Sequence, residues 1–238
     1  MAFEPVSPGE LVDAFGFQPG TDFTDNAVKF LVTGPLTQEW SKTPEKPLIP
    51  FLPVENRLRP QSKRRIGAED ERRAAYWSLL MMPPAGVSYA ANGIADWDTT
   101  VTQQQAKSLG SDWPAWRKSL FLPGAKQMST LGGFFDSIDF WKLRPRPNFV
   151  ANQPGGAAPE RYIAAAGSEA NDLSVVYVPK DRTIDILNDA LPSAPSIAWI
   201  NPRTGDRSPA VAVVGDRSCQ FPTPDPGDWL LLMKSARP

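Results

Sequence analysis

Twenty-six prolines in 238 residues set the first constraint on this chain. Proline fixes φ, lacks an amide proton and interrupts both helix interiors and central strand ladders. Any fold here must therefore be assembled from short elements that stop at proline-marked turns. A proline content of about 11%, against a usual ~5%, is also found in disordered polymers. Aromatic content decides against disorder, because eight Trp, twelve Phe and four Tyr are spread along the chain, a load that disordered segments lack. The chain is long enough to bury a sizeable core.

Two textures follow one another. In the first, Val12 to Phe17 and Pro47 to Leu52 are short apolar runs that predict buried strands, and Asn26 to Thr33 predicts one or two helical turns ended by Gly34 and Pro35. Ala68 to Met82 is the clearest helix: Glu69, Asp70 and Glu71 lie in its first turn, Pro83-Pro84 stop it, and Ala74, Trp77 and Met81 share a face. Ala85 to Ala90 predicts another strand, then Trp113 to Leu122 and Ala125 to Phe135 predict helices with Gly124 between them. This is an α/β alternation. From Lys142 onward, Arg161 to Ala166, Leu173 to Pro179, Thr183 to Leu187, Ser196 to Ile200, Ala210 to Val214 and Trp229 to Met233 are short strands spaced by turn residues. The expected architecture is α/β followed by all-β, divided into residues 1–142 and 143–238, the second of sandwich size.

The side chains exclude much chemistry. No histidine occurs anywhere, which removes histidine-based triads, histidine general bases and histidine metal sites. The single cysteine, Cys219, cannot close an intramolecular disulfide and is expected to be a small buried hydrophobe. Neither metal nor cofactor is expected. With 25 basic and 26 acidic residues the net charge is -1, so no field gathers nucleic acid or an anionic membrane. Met1 to Glu10 lacks the pattern of a leader, and no run approaches the ~20 apolar residues of a membrane span. The expectation is a soluble chain.

Separated blocks of sequence resemble a known family. Arg72-Arg-Ala-Ala-Tyr-Trp-Ser-Leu-Leu80, Ala85-Gly-Val-Ser-Tyr89, Asn92-Gly93, Trp116 and Pro123-Gly-Ala-Lys-Gln-Met128 are similar to the later part of apiosidase-like (β/α)8-barrel glycoside hydrolases. Tyr177-Val-Pro179, Trp199, Asn201-Pro-Arg-Thr-Gly205, Phe221 and Asp228-Trp229 are similar to the small β-domain that ends those proteins, which carries a collagen-binding label. The resemblance implies that the strand around Asp13 to Gln18 is the sixth of the barrel, Pro47 to Pro53 the seventh and Gly86 to Ala90 the eighth. The fold expected is then a partial (β/α) barrel of about three βα units followed by a β-sandwich. The first five strands, and the acid/base carboxylate that follows the fourth, would lie outside these residues.

The same register bears on chemistry. The family's seventh strand typically ends in Glu-Pro closely followed by Tyr-Glu; here Leu52 stands at the first glutamate and Glu55 matches the second. Glu55 is thus the expected surviving site carboxylate, though not as a nucleophile. Pro19-Gly-Thr21 replaces the family's Ser-Gly-His, and Ala91-Asn-Gly93 with Ala95 and Trp97 replaces Gly-His-Gly and two tryptophans. Losses concentrated at strand ends erode chemistry while the fold is still specified. Gln18, Asn92, Asp96, Trp97 and Asp98 are candidate sugar contacts, since amides and carboxylates bond hydroxyls and tryptophan faces stack on pyranose rings. The alternative is that Asn92-Gly93 is only a turn and Trp97 only packs. Arg72 and Arg73 read as local ion pairs of a helix end, and Lys63-Arg-Arg65 as a solvated loop.

The function expected is a degenerate, non-catalytic glycoside-hydrolase-like protein with a carbohydrate-associated or structural role. Two alternatives stand beside it: an active hydrolase when a partner chain or second copy completes the barrel, with Glu55 opposite the partner's acid, and a structural or protein-binding module. A sheet of three parallel strands with open edges implies a homodimer or a partner chain.

Overall fold

The computed structural model describes residues 15–17, 48–58, 64–81, 86–94, 116–180 and 182–235. The predicted turns at Asn26 to Thr33 lie outside these residues. Strands β1 (Phe15–Phe17), β2 (Leu48–Glu55) and β3 (Ser88–Ala91) form a parallel sheet in the order β1-β2-β3. Helix α1 (Ala68–Met81) joins β2 to β3, and α2 (Trp116–Ser119) and α3 (Pro123–Asp136) follow. Two consecutive parallel strands joined through a helix are the βα repeat of a barrel. β2 extends past Leu52 to Glu55, and its pairing with β3 shifts between Phe51 and Val54. Pro53 explains the shift, since it has no amide to donate to the ladder.

The remaining strands are β4 (Arg144–Pro145), β5 (Ala164–Gly167), β6 (Leu173–Val178), β7 (Thr183–Leu187), β8 (Pro195–Ile200), β9 (Arg207–Pro209), β10 (Val213–Val214), β11 (Ser218–Pro222) and β12 (Trp229–Ser235). Six of them form an antiparallel sheet in the order β4-β5-β6-β12-β8-β9, and three form a smaller one in the order β10-β11-β7. The two pack face to face around Ile163, Val176, Ile184, Ile186, Trp199, Phe221 and Leu231. Three sequence expectations change. The run Arg161 to Ala166 divides into a 3-10 turn ending at Arg161 and strand β5; Ala210 to Val214 contributes only β10; and β4, β9 and β11 have no counterpart among the expected runs.

The other face of the six-stranded sheet is also buried. A second core places Val175, Tyr177, Leu230 and Leu232 of that sheet against Tyr76, Trp77 and Leu80 of α1, Leu131, Phe134 and Phe135 of α3, and Leu48 and Leu52 of β2. Every residue of β6 is buried as a result. This is why Val175 to Val178 is continuously apolar rather than alternating. Leu143, where the texture of the sequence changes, lies inside this core.

A polar clamp crosses the same seam. Arg72 of α1 donates from Nε and Nη2 to the two Asp228 oxygens, both at 2.8 Å, and from Nη1 to Gln127 Oε1 of α3 at 2.5 Å. Tyr177 of β6 donates its hydroxyl to Asp228 at 3.1 Å, and its ring stacks on Tyr76 with centroids 4.9 Å apart. Burial, then the Asp228 charge, pushes the Tyr177 phenol well above its ordinary range, so it stays a donor. Arg72 is therefore not one of the local helix-end pairs expected from its neighbours. Arg73 is, since it bonds Asp70 at 2.9 Å and Glu69 at 3.3 Å. Of the basic triplet, Arg64 pairs with Asp70 and Arg65 donates to the Asn56 carbonyl, so these two are anchored rather than merely solvated; Lys63 lies outside the described residues.

Among the described residues no helix is long and apolar enough to cross a membrane. Because a shared core and the buried Arg72–Asp228 pair join the two parts, they are expected to unfold together. Asp228→Asn leaves the buried Arg72 without its counter-charge, a loss of about 3–5 kcal/mol. Urea unfolding followed by tryptophan fluorescence and by far-UV circular dichroism should show one transition displaced to lower denaturant; two separate transitions in the unaltered chain would contradict the shared core.

Candidate functional site

Barrel folds carry their chemistry at the C-terminal ends of the strands, and Glu55 is the last residue of β2. It is a strand residue rather than a solvated loop residue, and only 2% exposed. The chain turns immediately after it: Asn56 takes a left-handed φ of 66°, which asparagine tolerates better than most residues, and donates its amide to the Ile66 carbonyl at 2.7 Å. On the other side β3 runs parallel with Glu55 opposite Ala91, and the Asn92 amide continues the ladder to the Glu55 carbonyl at 2.9 Å. The backbone of Glu55 is fixed from both sides.

The carboxylate is fixed as well. The Gly124 amide donates to both oxygens at 3.1 Å, and the Tyr89 hydroxyl donates to Oε2 at 2.5 Å. Gly124 lies in the first turn of α3, directly after Pro123. That position presents unpaired amides and the positive end of the helix dipole, both of which favour an anion. It also needs glycine, since a Cβ there would come within 2.3 Å of Glu55 Oε2. Gly124 had been expected to separate two helices; it instead opens one, because Pro123 suits the first turn. Burial, then the hydrogen bond to Glu55, pushes the Tyr89 phenol well above its ordinary range. Its proton therefore stays available to the carboxylate.

Asn92 is the second predicted site residue that the structure describes, and it stands beside the first. Fully buried, it donates from Nδ2 to the Asn56 carbonyl at 3.5 Å and accepts the Ser119 hydroxyl on its own carbonyl. Gly93 follows with a φ of 89°, and Ile94 bonds back to Ala91, so Asn92-Gly93 does form a turn. Gln18, Asp96, Trp97 and Asp98 lie outside the described residues. Leu52, at the position that the resemblance assigns to the family's first glutamate, is buried in the core beneath α1.

The partners of Glu55 were not foreseen. In sequence Tyr89 and Gly124 stand out only through the family resemblance and, for Gly124, as a break between helices, although a Pro-Gly pair opening a helical run is a signal for a helix N-terminus. Trp199, Tyr177 and Trp229 are buried in the β-domain and form no surface platform. Cys219 is buried with its thiol 3.3 Å from Asn188 Oδ1.

Residues 11–142 match the family described as "Apiosidase-like, catalytic domain", and residues 145–234 match the one described as "Putative collagen-binding domain of a collagenase". Among solved structures, a protein described as "Glycoside hydrolase" is similar with a TM-score of 0.76 at 20% identity, over 95% of this chain and 54% of that one. A glycoside hydrolase family 5 protein from Bacteroides vulgatus ATCC 8482 is similar with a TM-score of 0.78 at 22% identity, over 96% of this chain and 52% of that one. The chain spans about half the length of these solved relatives, and at such identities the likeness shows the fold. No curated protein sequence matches it.

Replacing Gly124 by alanine should push the Glu55 carboxylate off the helix terminus and cost about 1–3 kcal/mol, as overpacking does. In a Glu55→Ala background the added methyl has room, so the same substitution should cost much less. A double-mutant cycle by urea denaturation measures the coupling; equal costs in both backgrounds would mean that the carboxylate does not hold the helix.

Proposed function

Since the chain belongs to the apiosidase-like family, we propose that it is a glycoside-hydrolase-like protein with a carbohydrate-associated role, whose 238 residues do not themselves cleave a glycosidic bond. One observation carries this reading: the carboxylate of Glu55 is buried and bonded by the scaffold, by Gly124 at both oxygens and by Tyr89 at one. A glycosidase nucleophile must reach an anomeric carbon, and it works opposite a second carboxyl group about 5–5.5 Å away for retention or 6.5–9.5 Å for inversion. Glu55 is enclosed by two strands and a helix end. Its role is to hold α3 against the strand ends. Leu52, which has no acid to offer, supports the same reading.

A second reading is favoured by β2 itself. Leu48 and Leu52 are buried beneath α1, while Phe51, on the opposite face by strand alternation, is 44% exposed. Parallel strands are ordinarily covered on both faces. Further βα units, on another chain or a second copy, would cover Phe51 and complete a hydrolase in which Glu55 lines a site facing their acid.

The purified chain should release no product from aryl glycosides or plant polysaccharides above the buffer rate, and Glu55→Gln should leave any glycan affinity intact. Turnover by the unaltered chain that disappears in Glu55→Gln would overturn the first reading. Light scattering separates the two, because the second requires turnover to appear together with an assembly larger than a monomer.

A further inference from the structure

We propose that Phe140 and Trp141 form an aromatic shelf that stacks a neutral pyranose ring of a glycan, on the flank of the β-domain and remote from Glu55. The proposal rests on the reading of the chain as carbohydrate-associated and gives that reading a site. Trp141 is 62% exposed and Phe140 44% exposed. Their rings meet edge to face with centroids 5.7 Å apart, and Phe140 stands edge-on to Phe135 at 6.3 Å, so the shelf is braced on the core. Helix α3 starts beside Glu55, whose carboxylate its first turn bonds, and with 14 residues carries the chain about 20 Å away before the shelf begins.

The backbone under the shelf is pinned. Phe140–Lys142 is a single 3-10 turn in which the Lys142 amide bonds the Asp139 carbonyl and the Leu143 amide bonds the Phe140 carbonyl, both at 3.0 Å. Arg144 Nη1 donates to the carbonyls of Trp141 and Leu143 at 3.0 and 2.9 Å, and Leu143 is buried. A large apolar ring held outward by a fixed turn has already met much of the ordering cost of binding.

The rim selects the ligand. Lys142 lies 2.9 Å from Asp139 and 3.8 Å from Asp172 of the turn between β5 and β6, and Arg144 adds a second cation. Two acids and two bases balance, which favours neither a polyanion nor a polycation. Hydroxyls, which both donate and accept, suit such a rim, while the C–H face of a pyranose suits the ring. Size argues the same way. Two aromatic side chains bury at most about 300–500 Å² together, far short of the ~1,200 Å² of a stable protein interface but suited to one or two sugar units. Asp139 and Lys142 belong to the 3-10 turn itself, Arg144 to β4 and Asp172 to the β5–β6 turn, so the shelf does not depend on how the parallel sheet is completed.

Native affinity electrophoresis of the 238-residue chain through gels containing a neutral β-glucan, xylan or galactomannan, with polygalacturonate as the anionic comparator, tests the proposal. At least one neutral polysaccharide should retard the unaltered chain and Glu55→Gln alike. Trp141→Ala should weaken that retardation about tenfold or more, as loss of a stacking tryptophan does elsewhere, with its thermal unfolding unchanged; Trp141→Phe should recover part of it. Equal retardation of Trp141→Ala overturns the shelf and leaves the carbohydrate-associated reading standing. Retardation by polygalacturonate alone overturns the neutral ligand, and no retardation by any polymer overturns shelf and reading together.

Discussion

The bidentate pair between Arg72 and Asp228 is the interaction around which the two parts of the chain are organised. Removing both charges from water costs several kcal/mol per ion, which only good geometry and further hydrogen bonds can offset. Both conditions hold: two 2.8 Å bonds join guanidinium and carboxylate, Gln127 takes the remaining guanidinium donor, and Tyr177 donates to Asp228. Each partner comes from a different element of the seam, namely α1, α3, β6 and the approach to β12. The pair therefore sets one relative placement of helices and sheet, and the apolar contacts of Tyr76, Trp77, Phe134 and Leu230 close around it. The β-domain is in this sense a wall of the hydrolase-like part rather than an appendage.

With that seam in place, α3 becomes a strut with two distinct ends. Its first turn meets the carboxylate of Glu55, and its far end delivers Phe140 and Trp141 to the surface beside β4. The strand end that a barrel uses for chemistry is here used for attachment. An acid that accepts three hydrogen bonds from its own scaffold stabilises that scaffold.

Much of the fold was legible in the sequence. The acidic first turn and the Pro83-Pro84 stop locate α1, and the apolar runs of Leu173 to Val178 and Trp229 to Met233 locate the two central strands of the large sheet. Strand β11 escaped because Ser218-Cys-Gln-Phe-Pro222, although it alternates, has only Cys219 and Phe221 on its apolar side and ends in proline. The contacts around Glu55 were less legible. The sequence singled out Glu55 and Asn92 separately, and their strands bring them together, yet the groups that bond the Glu55 carboxylate are Tyr89 and Gly124, 34 and 69 residues along the chain. Asp228 lies 156 residues from Arg72. No local pattern carries such pairings, and the acidic neighbours of Arg72 in sequence suggested a nearer partner.

Charge and aromaticity have changed places relative to what a glycan site would suggest. The tryptophans and tyrosine of the β-domain, Trp199, Trp229 and Tyr177, are packed inside, where the sheet sandwich and the Asp228 cluster use them. Surface aromatic area is found instead in a turn between domains, at residues whose sequence, Phe-Trp-Lys, shows no periodicity. The physical distinction is support. A strand aromatic in a two-faced sheet has neighbours on both sides and is drawn into the core, whereas Trp141 sits on a 3-10 turn anchored by the buried Leu143 that follows it, two residues on, and its own ring is left outside. With Leu143 held inside and the turn closed by backbone hydrogen bonds, the Trp141 ring projects without disturbing the seam beneath it.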